Sequence, residues 1–348
     1  MSKSNETVES SRPTRPHRLI AWLLRHQEKL WWLHSLYALA LGVGFIWLGK
    51  QDFSFLRVAV FHMIFIWISS LMLPKLLLHP RVPARWAPRL QLVVNYFNKN
   101  LYQQMLFFVL PIYYASATLW SRNTAFVVLV GLSAVLSTVD VIYDRHLSVK
   151  RNLMAAFFAF NLFALVNVML PILWSVSNTV TTRIGAILAF VGFLTLGYPT
   201  SQSRLLRIGA VAAIGLLILV LVEAGRPFIP PAPLRLASAE FGRDFEKTSL
   251  QIVSPLTRVE PASSLLLYGL TATKAPLGLR EKLQHRWHQN GKVVCASPFH
   301  DIVGGREEGF RLWTSCVFPS VPPGTTLRVD LETEGGQLIG RAGLKSGG

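Results

Sequence analysis

At 348 residues, with 51% hydrophobic content, 15% charged residues and a mean hydropathy of +0.39, the chain is too apolar for an ordinary soluble protein. Its net charge of +17 is uneven: residues 1–225 hold 20 Lys and Arg against 7 Asp and Glu, and the remainder holds 15 against 11. A basic excess concentrated in the apolar half reads as membrane topology, and it argues against a phosphate-binding surface for nucleic acid.

In chain order, residues 1–29 are polar and basic (Arg12, Arg15, Arg18, Arg25, Lys29). They read as a cytoplasmic tail with a short amphipathic segment at Leu19–Leu24, and they lack the apolar core and small-residue cleavage site of a signal peptide. Residues 30–225 then present seven apolar segments: Leu30–Leu48, Phe55–Leu73, Leu101–Leu119, Ala125–Tyr143, Leu153–Trp174, Ile184–Tyr198 and Ile208–Ala224. Most approach the ~20 residues that a helix needs to cross the hydrocarbon layer; Ile184–Tyr198 is the shortest, and its full crossing is left open. With the amino terminus inside, sixteen Lys and Arg fall on the inner side and four (Lys50, Arg57, Arg122, Arg183) on the outer. The bias is strongly positive-inside, and an odd number of spans puts the carboxyl-terminal part outside. Trp31, Trp47, Trp120, Tyr143, Trp174 and Tyr198 sit at segment ends, where interfacial aromatics belong.

Polar residues within the spans are His62, Asp140, Asn161, Asn167 and Glu223. Asp140 and Glu223 lie about a turn from segment ends, where a carboxylate reaches headgroups or water. Asn161 and Asn167 are six apart on one helix, do not share a face, and suit interhelical hydrogen bonding.

Residues 226–247 hold Pro227, Pro230, Pro231 and Pro233 and read as a stiff extended connector. From residue 248 to 348 the pattern changes to short alternating runs, at Thr248–Val253, Leu265–Thr273, Lys282–His288, Lys292–Phe299, Phe310–Phe318, Thr325–Glu332 and Gln337–Leu344. Turn signals at Asn290-Gly291, Pro323-Gly324 and Gly335-Gly336 separate some of them. Seven short strands predict an all-β, immunoglobulin-like sandwich. Alternation puts Leu327, Val329 and Leu331 on one face and Arg328, Asp330 and Glu332 on the other. It likewise groups Leu283, His285 and Trp287, and Phe310, Leu312 and Cys316.

Cys295 and Cys316, the two cysteines of the chain, would face each other across a hairpin centred on Gly305 and Arg306. In an oxidising outer compartment that pairing predicts a disulfide; two buried thiols are the alternative.

The motifs Ala275-Pro276-x-Gly278-Leu279, His285-x-Trp287, Gly304-Gly305-Arg306-x-x-Gly309-x-Arg311 and Gly336-Gln337-x-x-Gly340-Arg341 resemble a bacterial domain-of-unknown-function family. That family forms extracytoplasmic β-domains at the carboxyl end of polytopic inner-membrane proteins. The resemblance covers roughly Leu265–Leu344, and the segment Asn100–Asp144 is similar to the membrane part of such proteins. It implies the architecture and carries no activity.

No catalytic constellation stands out. His285 and His288 would point to opposite faces of a strand, so neither a metal nor another cofactor is expected. Gly304-Gly305-Arg306 could cradle an anion, or simply be a tight turn that needs glycine. Arg311 and Trp313 share an outward parity and, with Arg286 and His288 on a neighbouring strand, could make a cation-aromatic patch for a sugar or peptide. The sequence thus reads as a multi-pass bacterial inner-membrane protein, more a binding or assembly module than an enzyme. Its expected partners are the lipid bilayer and an envelope protein, peptide or glycan. A small-molecule or lipid transporter, or a membrane-embedded enzyme, is the alternative.

Overall fold

The structure is a computed structural model and describes residues 68, 102–103, 105–139, 142–147, 149–197 and 203–347. The predicted tail 1–29, the segment Leu30–Leu48 and, Ile68 apart, the segment Phe55–Leu73 lie outside the described residues.

Five helices match the other five predicted segments: α1 (Met105–Ser116), α2 (Thr124–Thr138), α3 (Arg151–Trp174), α4 (Asn178–Gly197) and α5 (Arg204–Gly225). Three of them, α3 to α5, are long and apolar enough to cross a membrane. The short segment Ile184–Tyr198 lies, as far as Gly197, within α4, which starts earlier because a polar first turn (Asn178, Thr181, Thr182) is also helical and buried; Tyr198 is outside the described residues. α3 and α4 form a close antiparallel pair, since α4 turns small residues to its neighbour. A Cβ at Gly192 would come within 2.9 Å of Leu162 and Phe158, and one at Gly197 within 2.8 Å of Ala155. Among the described residues α5 has none that is buried, so its Leu216, Leu217 and Leu221 present an apolar surface suited to lipid. Tyr113 on α1 ties the bundle together: its O–H donates to Ala164 O at 2.8 Å, and Asn167 Nδ2 donates to Tyr113 Oη at 3.3 Å.

The segment 226–247, expected from its prolines to be a stiff extended connector, is instead packed and structured. It makes a 3-10 turn at Arg226–Phe228, buries Ile229 and Ala232 against the helices and Leu234 in the β-domain, and then forms strand β1 (Arg235–Gly242). Prolines here shape a path between two cores instead of a spacer.

Ten further strands follow: β2 (Phe245–Glu246), β3 (Gln251–Ile252), β4 (Arg258–Val259), β5 (Leu265–Lys274), β6 (Arg280–Gln289), β7 (Lys292–Ala296), β8 (His300–Val303), β9 (Phe310–Phe318), β10 (Thr326–Thr333) and β11 (Leu338–Ser346). One sheet has the order β1-β5-β9, a second runs β4-β11-β10-β6-β7 with β8 also on β6, and β2-β3 is a small hairpin. The two larger sheets share two apolar clusters. One gathers Phe241, Leu267, Trp287, Phe318 and Val329; the other gathers Leu234, Leu279, Leu283, Leu312 and Leu331. Each fully buried Leu or Val contributes on the order of 2 kcal/mol. Gly269 on β5 makes room for the indole of Trp287, since a Cβ there would come within 2.7 Å of it.

Cys295 and Cys316 are joined in a disulfide, with Cα atoms 6.1 Å apart. They do not face each other in a hairpin. Cys295 pairs with Trp287 in one sheet and Cys316 with Leu267 in the other, so the bond clamps the two sheets together.

Candidate functional site

The junction between helices and β-domain is built from polar side chains that have left water. Glu281, at the start of β6, is buried, and its Oε2 accepts from the Asn178 backbone N–H at 2.8 Å and from Asn178 Nδ2 at 3.1 Å. A carboxylate there complements the N-terminus of α4, whose first amides have no partner within the helix. Burial pushes the Glu281 carboxyl above its ordinary range, and the Asn178 hydrogen bonds partly oppose that. Two more contacts complete the junction: Asn123 Nδ2 donates to Leu338 O at 2.9 Å, and Gln337 Nε2 donates to Ile229 O at 3.0 Å. The loop before α2, the start of α4 and the segment after α5 therefore all lie on the side of the β-domain.

Between the two apolar clusters runs a polar chain from sheet to sheet. Trp287 Nε1–H donates to Thr314 Oγ1 at 3.0 Å, which leaves the Thr314 hydroxyl to donate to His285 Nδ1 at 2.7 Å. His285 Nε2–H then donates to Thr271 Oγ1 at 2.8 Å. Every group has one role in this order only if the imidazole is neutral. Burial, with a smaller contribution from His300, lowers the His285 pKa to about 3.

The outer face of the second sheet carries a charge network. Arg341 grips Asp330 with two bonds of 2.8 Å, Arg328 Nε lies 3.1 Å from the same carboxylate, and Arg286 lies 3.4 Å from Glu332. Three guanidiniums face two carboxylates, so part of the positive charge is unmatched and can take an anionic group. Burial raises the Glu332 pKa, and Arg286 partly offsets the rise.

The residues predicted as one ligand patch do not meet. β6 and β9 belong to different sheets, so Arg286 and His288 lie on one outer face while Arg311 and Trp313 lie on the other. His288 is buried, donates through Nδ1 to Arg286 O at 3.1 Å and lies 4.0 Å from Asp330; burial lowers its pKa and Asp330 partly raises it. Trp313 is stacked on Phe245 of the β2-β3 hairpin at 4.5 Å, with Lys247 5.9 Å from its ring centre. Arg311 pairs with Glu308 at 2.9 Å, and the exposed Arg306 lies 5.3 Å from the centre of the Phe310 ring. The amides of Gly304 and Gly305 donate to Leu279 O and Ala275 O, so they are not available to cradle an anion.

Of the intramembrane candidates, His62 and Asp140 lie outside the described residues. Asn167 is engaged with Tyr113, and Glu223 pairs with Arg226 and, at 3.1 Å, with Arg183. Asn161 is buried, with neither amide atom hydrogen-bonded to a described residue. Among the described residues no group of three His, Cys, Asp or Glu could hold a metal ion. Sequence reasoning missed Glu281, Arg341 and the His285–Thr314 chain. Only the inward parity of His285 signalled any of them, because each depends on a partner from a distant strand or helix.

Residues 13–270 match the family of unknown function DUF5924, which takes in the helices and the strands up to β5. The motifs from Ala275 onward lie beyond that match. No curated protein matches the chain.

Proposed function

The chain belongs to the DUF5924 family of unknown function, and from that premise we propose that it is a multi-pass bacterial inner-membrane protein that holds a β-sandwich outside the membrane as a binding or assembly module. The observation that carries this reading is the junction. Glu281, Gln337 and Asn123 fix the β-domain to the helix ends through buried hydrogen bonds, as a presented surface needs, where a flexible tether would leave its orientation open. The positive-inside charge bias supports an outer position, and the disulfide suits an oxidising compartment.

The sandwich is of immunoglobulin type in this reading. The order β1-β5-β9 against β11-β10-β6 parallels the A, B, E and G, F, C strands, and buried Trp287 occupies the strand-C position. The disulfide departs from that pattern, since it joins β7 to β9. The partner surface is the outer face of the second sheet, where Arg286, Arg328 and Arg341 would receive an anionic group of an envelope protein, peptide or glycan.

The test uses a host strain lacking the protein. The full chain should restore its phenotype, whereas a chain ending at Gly225 and a full chain carrying Arg286→Glu with Arg328→Glu should fail despite normal membrane levels. Full restoration by the shortened chain would overturn the proposal and favour the transporter or membrane-enzyme reading. In the described residues that alternative is supported by the buried, unpartnered amide of Asn161 and the buried, unpartnered Oδ1 of Asn167.

A further inference from the structure

The β5–β6 loop points at the helices. A Cβ on Gly278 would come within 2.9 Å of Ser175 Oγ, and Ser175 is the left-handed residue that ends α3. The loop therefore lies at the level where a candidate span leaves its apolar stretch. Ala275, Pro276 and Leu279 are buried, yet Leu277 at the tip is 68% exposed.

That exposure is held in place by the backbone around it. Gly304 and Gly305 donate to Leu279 O and Ala275 O, and a Cβ on Gly304 would fall 2.0 Å from Pro276 O. Gly305 lies directly against Leu277, since a Cβ there would meet Leu277 Cδ1 at 2.4 Å. Neighbouring helix ends show the same kind of surface: Trp174 is 66% exposed, Trp120 is 96% exposed, and Phe228 after α5 is exposed too. Aromatic and apolar side chains left uncovered at span ends belong to the membrane–water interface.

We propose that Leu277 inserts into the outer interfacial layer of the bilayer, so that the β-domain is anchored to lipid as well as to the helices. The inference rests on the reading that the helices cross a membrane. Lipid is the occupant because Gly278, next to the exposed tip, packs on Ser175, which directly follows the uncovered Trp174 at the end of α3. The charges around the tip are mixed: Arg280 and Arg306 are exposed, and so are Glu307 and Glu308, with Glu308 paired to Arg311. Insertion is therefore driven by apolar burial and does not need anionic lipid.

Both native cysteines are consumed by the disulfide, so a single added cysteine in the full chain can carry a nitroxide spin label. Three variants are compared in phosphatidylcholine vesicles: Leu277→Cys at the tip, Leu217→Cys on α5, and Val293→Cys on β7 at the far end of the domain. The readout is collision with oxygen, which concentrates in lipid, against collision with a water-soluble nickel chelate. Positions 217 and 277 should both favour oxygen, with a ratio at 277 several-fold above that at 293. A ratio at 277 equal to that at 293, with 217 still in lipid, would overturn the insertion and leave the membrane reading intact. Nickel access at 217 equal to that at 293 would remove the membrane reading, and the insertion with it.

Discussion

Glu281 Oε2 lies 2.8 Å from the backbone nitrogen of Asn178 and 3.1 Å from its side-chain amide, so a strand of the β-domain caps a helix 103 residues earlier in the chain. One buried carboxylate thereby couples the two halves.

Removing that acceptor with Glu281→Ala leaves the first amide of α4 unpartnered in a buried place and should cost about 1–3 kcal/mol. Glu281→Gln keeps an acceptor oxygen, loses the buried charge and should be much milder. The raised carboxyl pKa sets the sign with pH. Its contribution to stability is fully present below the ordinary carboxylate value and is lost as pH rises through the raised folded value. Unfolding of the detergent-solubilised chain as a function of pH should show this window in the native protein, and Glu281→Gln should flatten it.

For His285 the sign is opposite. Its pKa falls to about 3 in the folded domain, so the stability it contributes is present above the ordinary imidazole value of about 6.5. That stability is lost as pH falls through the interval toward 3. Near-ultraviolet circular dichroism, reporting the buried Trp287, should follow this acid transition. Thr314→Val strands both the indole N–H and His285 Nδ1 and should cost about 1–3 kcal/mol at neutral pH.

The bond between Cys295 and Cys316 clamps two sheets, so its loss should loosen the sandwich while the helices persist. Replacing both cysteines with serine should cost about 3 kcal/mol for a loop of this length. Native protein should migrate differently on reducing and non-reducing gels, and the doubly substituted chain should not.

Gly269→Ala tests how closely the sheets fit. The added methyl would fall 2.7 Å from the Trp287 indole, an overpacking expected to cost about 1–3 kcal/mol. A shift in tryptophan emission together with a lower unfolding midpoint would report it.

Helices and most strands were legible because each leaves a local, periodic trace. Phe310–Phe318 appears with its predicted limits, and the inward face of Leu283, His285 and Trp287 is buried as alternation requires. What escaped was long-range. The start of α4 is polar and is fixed by Glu281 from another domain, so hydropathy placed the span six residues late. The prolines after Arg226 signalled stiffness but not that the chain would return as β1. The two cysteines pair as expected, but across the two sheets and not within a hairpin. Parity says which way a side chain points within a strand, but not which sheet the strand joins. β9 pairs with β5 and not with the strand before it, which also separates Arg311 and Trp313 from Arg286 and His288.

The proposed function requires a β-domain that stands fixed on the outer side of the membrane. The direct measurement labels Val293→Cys in intact spheroplasts with a membrane-impermeant maleimide, the native cysteines being held in their disulfide. A β-domain on the outer side should label fully before lysis. Labelling only after the membrane is permeabilised would put the domain inside, and would remove the outer-module reading together with the charge-derived topology.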